Sequence, residues 1–187
     1  MARSPALNAR RIQALEHRIG HTFKSHETLI RALTHASAIH NHASRAHYER
    51  LEFLGDRVLG LCVAERLFEM FPEAPEGELS VRLNALVSGA TCTEIADEIG
   101  LADFITTGAD VRQINSKRMR SVRADVVESL IAAIYRDAGM KAASSFVDRF
   151  WKARFTATSA ATQDSKTALQ EWAHAHSSAT PVYTVTE

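Results

Sequence analysis

Apolar positions recur at helical spacing along most of the chain, and the residues between them mark where helices begin and end. The first run lies between Asn8, which can cap a helix N-terminus, and Gly20, which can stop one. A second follows Ser25 in SHETLIRALTHAS, and the polar stretch from His40 to His47 then reads as a loop. The longest run, ERLEFLGDRVLGLCVAERLFEMF, is largely apolar and stops at Pro72, whose ring cannot continue a helix. PEAPEGE is expected to be a loop. Helices follow in LSVRLNALVSG and in TCTEIADEIG, which Gly100 ends, whereas Leu101 to Met119 offers only short apolar pieces. VRADVVESLIAAIYRDAG predicts another helix up to Gly139, and KAASSFVDRFWKARF one more. No strand pattern appears before residue 180, so the prediction is an all-α domain.

After Phe155 the pattern changes. TATSAATQDS is small and polar, as expected of a linker. KTALQEWAHAHS then reads as a short helix and PVYTVTE as the opening of a strand with period-two alternation. The chain thus divides into residues 1–155, a linker over 156–165 and a tail over 166–187. So short a tail cannot bury a core of its own. It either packs on the main domain or opens a second one whose remainder lies outside this sequence.

Composition adds limits. The 187 residues are 45% hydrophobic and 24% charged, as in soluble globular proteins. With 22 basic and 22 acidic residues there is no overall positive charge, so any nucleic-acid contact must come from local clusters. No apolar run approaches the ~20 residues that span a bilayer, and MARSPALNARRIQALEHRIG lacks the apolar core of a signal peptide. Cys62 and Cys92 stand in helical segments without CxxC spacing, which points to reduced thiols and a cytoplasmic protein with no membrane partner.

The long helix raises the chemical question. At ~100° per residue, Glu49, Glu52 and Asp56 fall within an arc of about 60°, and Gly60 and Val63 continue the stripe. The other faces are apolar. Like charges at i, i+4 cost a few tenths of a kcal/mol on an isolated helix, and a mid-helix glycine such as Gly55 costs ~1 kcal/mol relative to alanine. Something other than helix stability selected these residues. The segment around Asp125 repeats the theme, since Asp125 and Glu128 align with Ser121 and Ala132 among apolar neighbours. Four carboxylates without His or Cys beside them would suit Mg²⁺ or Mn²⁺ better than zinc. Acidic stripes are more often solvated or paired with arginine, however, and Arg50, Arg57, Arg123 and Arg136 lie near in sequence. Nothing in the periodicity shows that the two helices meet.

The string ERLEFLGDRVLG closely resembles the signature of the ribonuclease III family, double-stranded-RNA endonucleases that include the nuclease domains of Dicer and Drosha. ALTHAS, EGELS and ADVVESLIAAIY resemble, in order, the family's upstream element, following loop and second acidic helix. KTALQEW resembles the opening of the α/β double-stranded-RNA-binding domain that follows the nuclease in bacterial members, so the likeness covers nearly the whole chain. It implies an all-α, homodimeric nuclease domain followed by an incomplete RNA-binding domain. It also implies metal-dependent hydrolysis of duplex RNA to 5′-phosphate and 3′-hydroxyl ends, in rRNA and mRNA processing. Glu52, Asp56, Asp125 and Glu128 match the family's four carboxylates, which bind Mg²⁺, with Mn²⁺ as a substitute; Asp56 and Glu128 match those tied most directly to hydrolysis. Glu49 and Glu76 match supporting positions at the edge of the active-site valley. Phe53 matches an aromatic that enters a pocket of the partner subunit, and Gln170 a position that contacts RNA. Gly55 would serve close backbone approach or tight helix packing. The one departure is HYER, where the family more often has Asn before Glu-Arg-Leu-Glu.

Weaker signals remain. RQINSKRMRSVR carries Arg112, Lys117, Arg118, Arg120 and Arg123 without an acid, and reads equally as a loop that touches RNA phosphates or as a solvated one. His35, His40, His42 and His47 cluster without zinc-site spacing, and His35 is expected to be structural. A non-catalytic duplex-RNA-binding module would not need all four matched carboxylates. A di-metal carboxylate oxidase would need two Glu-x-x-His motifs, and only Glu171 to His174 supplies one.

Overall fold

In the computed structural model, which describes residues 7–39, 47–108 and 116–157, the first helix begins where its cap predicts. The Asn8 side chain accepts from the Arg11 N–H at 3.0 Å, and α1 (Ala9–Ile19) closes at Gly20 in the left-handed conformation, φ 73°. Ser25 caps α2 (His26–Ala32) through the Glu27 N–H. The signature helix is α3 (Glu49–Met70), and it ends at Phe71, immediately before Pro72. Then come α4 (Glu76–Leu86), α5 (Gly89–Ile99), α6 (Ser116–Ala138) and α7 (Met140–Ala157), with short 3-10 turns at Ala36–Ala38 and Leu101–Asp103.

Two helices start earlier than periodicity predicts. α4 opens inside PEAPEGE, after Pro75 in extended conformation. Glu76 and Glu78 occupy its first turn, where acids complement the helix dipole, and Ser80 donates to Glu76 at 2.7 Å. α6 begins at Ser116 and so takes in the second half of the basic stretch that the sequence placed in a loop. Those turns lack an apolar stripe, but their neighbour α5 holds them: the Thr93 hydroxyl donates to the Arg120 carbonyl at 3.2 Å, and Arg123 pairs with Asp97 at 3.0 Å.

The core is arranged around α6. Val126, Val127, Leu130, Ile131, Ala132, Ala133 and Ile134 are wholly inaccessible, covered by α2, α3, α5 and α7. Each large side chain so buried contributes about 1.5–3 kcal/mol. The most extensive packing is between α3 and α6. Trp151 of α7 is fully buried and donates its indole N–H to the Leu86 carbonyl at 2.8 Å, which fixes the end of α4. The all-α reading stands. Among the described residues the only β pairing is one parallel bridge between Thr34 and Thr106. No described helix is long and apolar enough to cross a membrane. α7 runs to Ala157, two residues into the stretch read as linker. The rest of that linker, the tail with Gln170, and also Arg112, His40 and His42 lie outside the described residues.

Candidate active site

The two acidic helices meet, and a glycine lets them. A Cβ added to Gly55 would collide with the backbone carbonyl of Glu128. Only a residue without a side chain permits so close an approach, and the contact sets Glu52 and Asp56 of α3 against Asp125 and Glu128 of α6. Both readings of Gly55, close backbone approach and tight helix packing, describe one contact.

Proximity changes the chemistry of these acids. Glu128 has its pKa pushed up to about 8, first by burial and then by the negative charges of Asp56, Glu52 and Asp125; Arg57 acts in the opposite direction. Glu52 is pushed up to about 7 by burial, then by Asp125, Glu49 and Asp56. Burial also raises Asp125, against the lowering effects of a hydrogen bond from Tyr48 and of nearby His35. Basic neighbours offset this only in part: Arg57 lowers Glu128 and His35 lowers Asp125, yet both acids stay raised. Asp56 does have a partner, Arg57, at 2.6 Å on the exposed rim. Behind the acids lies Cys92, wholly buried, its thiol pushed up to about 12 by burial and by Glu128, Asp56 and Asp125. A thiol held so firmly protonated is inert packing.

The donor set fits a hard divalent cation, because it consists of carboxylate oxygens that burden one another with charge. The side chains do not, however, form a closed shell. Among the described residues no three His, Cys, Asp or Glu groups converge closely enough to hold a metal ion as they stand. The repulsion that raises their pKa values also favours their separation.

The other sequence candidates lie elsewhere on α3, α4 and α6. Glu49 is exposed at the start of α3, with His47 at 3.7 Å. Glu76 opens α4, bonded to Ser80. Phe53 is 66% exposed, with the Arg57 guanidinium 4.4 Å above its ring. Beside it opens a cavity of about 660 Å³, lined by Leu51, Leu54, Glu49, Arg31, Arg50 and Arg136 among others. Leu61 and Phe68 extend the exposed apolar surface of α3. Arg120 is exposed, and Lys117 and Arg118 lie on helical backbone rather than in a loop. His35 is structural as expected, its Nδ1 bonded to the Ser37 hydroxyl at 2.7 Å. Sequence reasoning missed one residue of the site. Tyr48, 4% exposed, donates its hydroxyl to Asp125 at 3.1 Å. Its only sequence signal was its place in HYER, directly before the acidic stripe.

Comparison with known proteins bears on the fold and the family. A family model described as Ribonuclease-III-like matches residues 25–154. Ribonuclease 3 of Brucella canis and that of Brucella suis are each 62% identical over 171 residues, covering 91% of this chain and 69% of theirs. The chain belongs to the ribonuclease III family. Membership makes it a metal-dependent endoribonuclease of double-stranded RNA. Among solved ribonuclease III structures, the nuclease domain from Campylobacter jejuni superposes with a TM-score of 0.71 at 36% identity. It spans 78% of this chain and 99% of its own, and its description concerns flexibility in a region involved in dimer formation. Dicer from Pichia stipitis, 25% identical, superposes with a TM-score of 0.56 over 89% of this chain and 76% of its own.

Proposed function

We propose that Glu52, Asp56, Asp125 and Glu128 hold Mg²⁺, with Mn²⁺ as a substitute, and that this site hydrolyses each strand of duplex RNA to 5′-phosphate and 3′-hydroxyl ends. One observation carries the reading: at Gly55 the backbone of α6 presses on α3 and gathers these acids into one half-buried valley. The ion supplies water activation and charge compensation at the scissile phosphate. Glu52 and Glu128 retain protons near neutral pH, so cation uptake is coupled to proton release. Asp56, at the exposed rim, and Glu128, behind it, are the acids that address the reacting phosphate. Glu49 and Glu76 edge the valley without being essential.

The active form is a homodimer in which Phe53 of each copy enters the other, so two valleys cut the two strands. The large exposed apolar residues Phe53, Leu61 and Phe68 on one helix support that assembly. Lys117, Arg118 and Arg120 at the start of α6 contact RNA phosphates, and Gln170 contacts RNA from the tail. The organisation is a nuclease domain over 1–155, a linker over 156–165 and the start of an RNA-binding domain over 166–187, in a cytoplasmic enzyme of rRNA and mRNA processing.

Cleavage of long duplex RNA with Mg²⁺, with Ca²⁺ as a binding control, tests the site. Wild type is expected to cut, and Glu128→Ala to bind duplex without cutting. Wild type that binds duplex and never cuts it would overturn the enzymatic reading; cutting that survives Glu128→Ala would overturn the residue assignment.

A further inference from the structure

Tyr48 is a buried titratable group at the valley that the hydrolytic scheme leaves unused, and unlike the inert thiol of Cys92 it bonds directly to one of the acids; its backbone and side chain touch three parts of the site. Its N–H donates to the Thr34 carbonyl at 3.0 Å, tying it to the segment that the Thr34–Thr106 bridge fixes. Its carbonyl accepts from Leu51 at 2.7 Å and from Glu52 at 2.9 Å, which forms the first turn of α3 and fixes the backbone that bears Glu52. Its ring packs tilted against His35, with centroids 5.7 Å apart, and is almost wholly buried. From that socket the hydroxyl reaches across to α6 and donates to Asp125 Oδ2 at 3.1 Å.

We propose that Tyr48 is a positioning residue for the cation site, orienting Asp125 through this hydrogen bond while its backbone sets the start of the helix that carries Glu52. The inference rests on the proposed role of Asp125 as a ligand. A phenol that occupies Oδ2 leaves Oδ1 outside that bond and restricts rotation of the carboxylate. The second partner of a ligating group commonly controls metal affinity about 10- to 100-fold. Because the ring is held by burial, by His35 and by three backbone hydrogen bonds, Tyr48→Phe removes the bond to Asp125 and leaves the socket intact.

The test is direct Mn²⁺ binding, followed by the electron paramagnetic resonance signal of the free ion, on wild type and Tyr48→Phe in the absence of RNA. Thermal unfolding of both is measured in parallel, and the Mg²⁺ concentration for half-maximal cleavage is the second readout. The proposal expects Tyr48→Phe to unfold cooperatively, to bind Mn²⁺ about 10-fold more weakly, and to need correspondingly more Mg²⁺ while approaching wild-type cleavage at saturation. A folded Tyr48→Phe with unchanged Mn²⁺ affinity would overturn it, even if thermal stability fell, since a merely structural role moves stability alone. Wild type that binds no Mn²⁺ would overturn the ligand assignment and this inference together, whereas an effect confined to Tyr48→Phe separates the two.

Discussion

The chain buries carboxylates in two ways. Glu16 on α1, 9% exposed, accepts from the Phe23 N–H at 2.8 Å and faces His26 at 3.3 Å. Asp137, near the end of α6, accepts from the Lys24 N–H at 3.0 Å and faces His21 at the same distance. These acids are satisfied by donors, and they pin the loop between α1 and α2. Glu52, Asp125 and Glu128 are half-buried beside other acids, and even with the Tyr48 hydroxyl on Asp125 their pKa values are raised, first by burial. The difference separates acids satisfied by donors from those proposed to hold the cation: burial alone marks neither, and the neighbours decide.

The sharpest way to break that contrast is Gly55→Ala. The added methyl would strike the Glu128 carbonyl, so α3 and α6 must part. Overpacking of this kind costs about 1–3 kcal/mol, and a displacement near 1 Å at a reacting centre costs on the order of 100-fold in rate. Cleavage should fall by at least that factor, while hydrogen exchange at Phe23 and Lys24, reporting the Glu16 and Asp137 contacts, stays protected. Unchanged cleavage would mean that the valley does not depend on the contact.

The converse change is Glu16→Ala. It leaves the buried Phe23 N–H without its acceptor, at a cost of about 1–3 kcal/mol. The unfolding midpoint should drop by about 2–4 °C per kcal/mol, with cleavage unaltered below the transition. Lost cleavage in the folded variant would erase the distinction between the two sets of acids.

The smallest effect is in pH. Glu52 at about 7 and Glu128 at about 8 lie above the ordinary 4.5, so between those values the folded state holds more protons than the unfolded one. Their protonation supports the fold fully below about pH 4.5, and that support is lost as pH rises through 7 to 8. The metal-free protein should therefore unfold a few degrees lower at pH 8.5 than at pH 5.5, by the same conversion of free energy to midpoint. Glu52→Gln combined with Glu128→Gln should flatten the slope, and saturating Mg²⁺ should restore the wild-type midpoint at pH 8.5. A slope that survives the double substitution would assign it to other groups.

Particular residues show how far a reading of sequence reaches. Asn8, Ser25, Gly20 and Gly100 were legible because capping is local chemistry, decided within a few residues by side-chain acceptors and positive φ. The start of α4 was not, because Gly77 and two prolines resemble a loop while Glu76, Glu78 and Ser80 quietly favour a helix. The start of α6 was not, because the partners that hold it, Thr93 and Asp97, lie more than twenty residues away. Tyr48 looked like a departure from a familiar pattern until its hydroxyl was seen against Asp125, 77 residues downstream.

By itself the sequence determined the helical class, most helix ends, two acidic stripes on otherwise apolar helices and, through the resemblance of ERLEFLGDRVLG and ADVVESLIAAIY, a family. Periodicity reports which face a residue takes, and caps report where a helix stops; both are properties of one segment. The tertiary structure alone decided that the stripes face each other, that Gly55 is where they touch, and that a buried tyrosine stands behind one of the acids. Those facts depend on how two segments separated by some seventy residues pack, and the electrostatics of the valley follow from that packing, since charge acts through space and not along the chain.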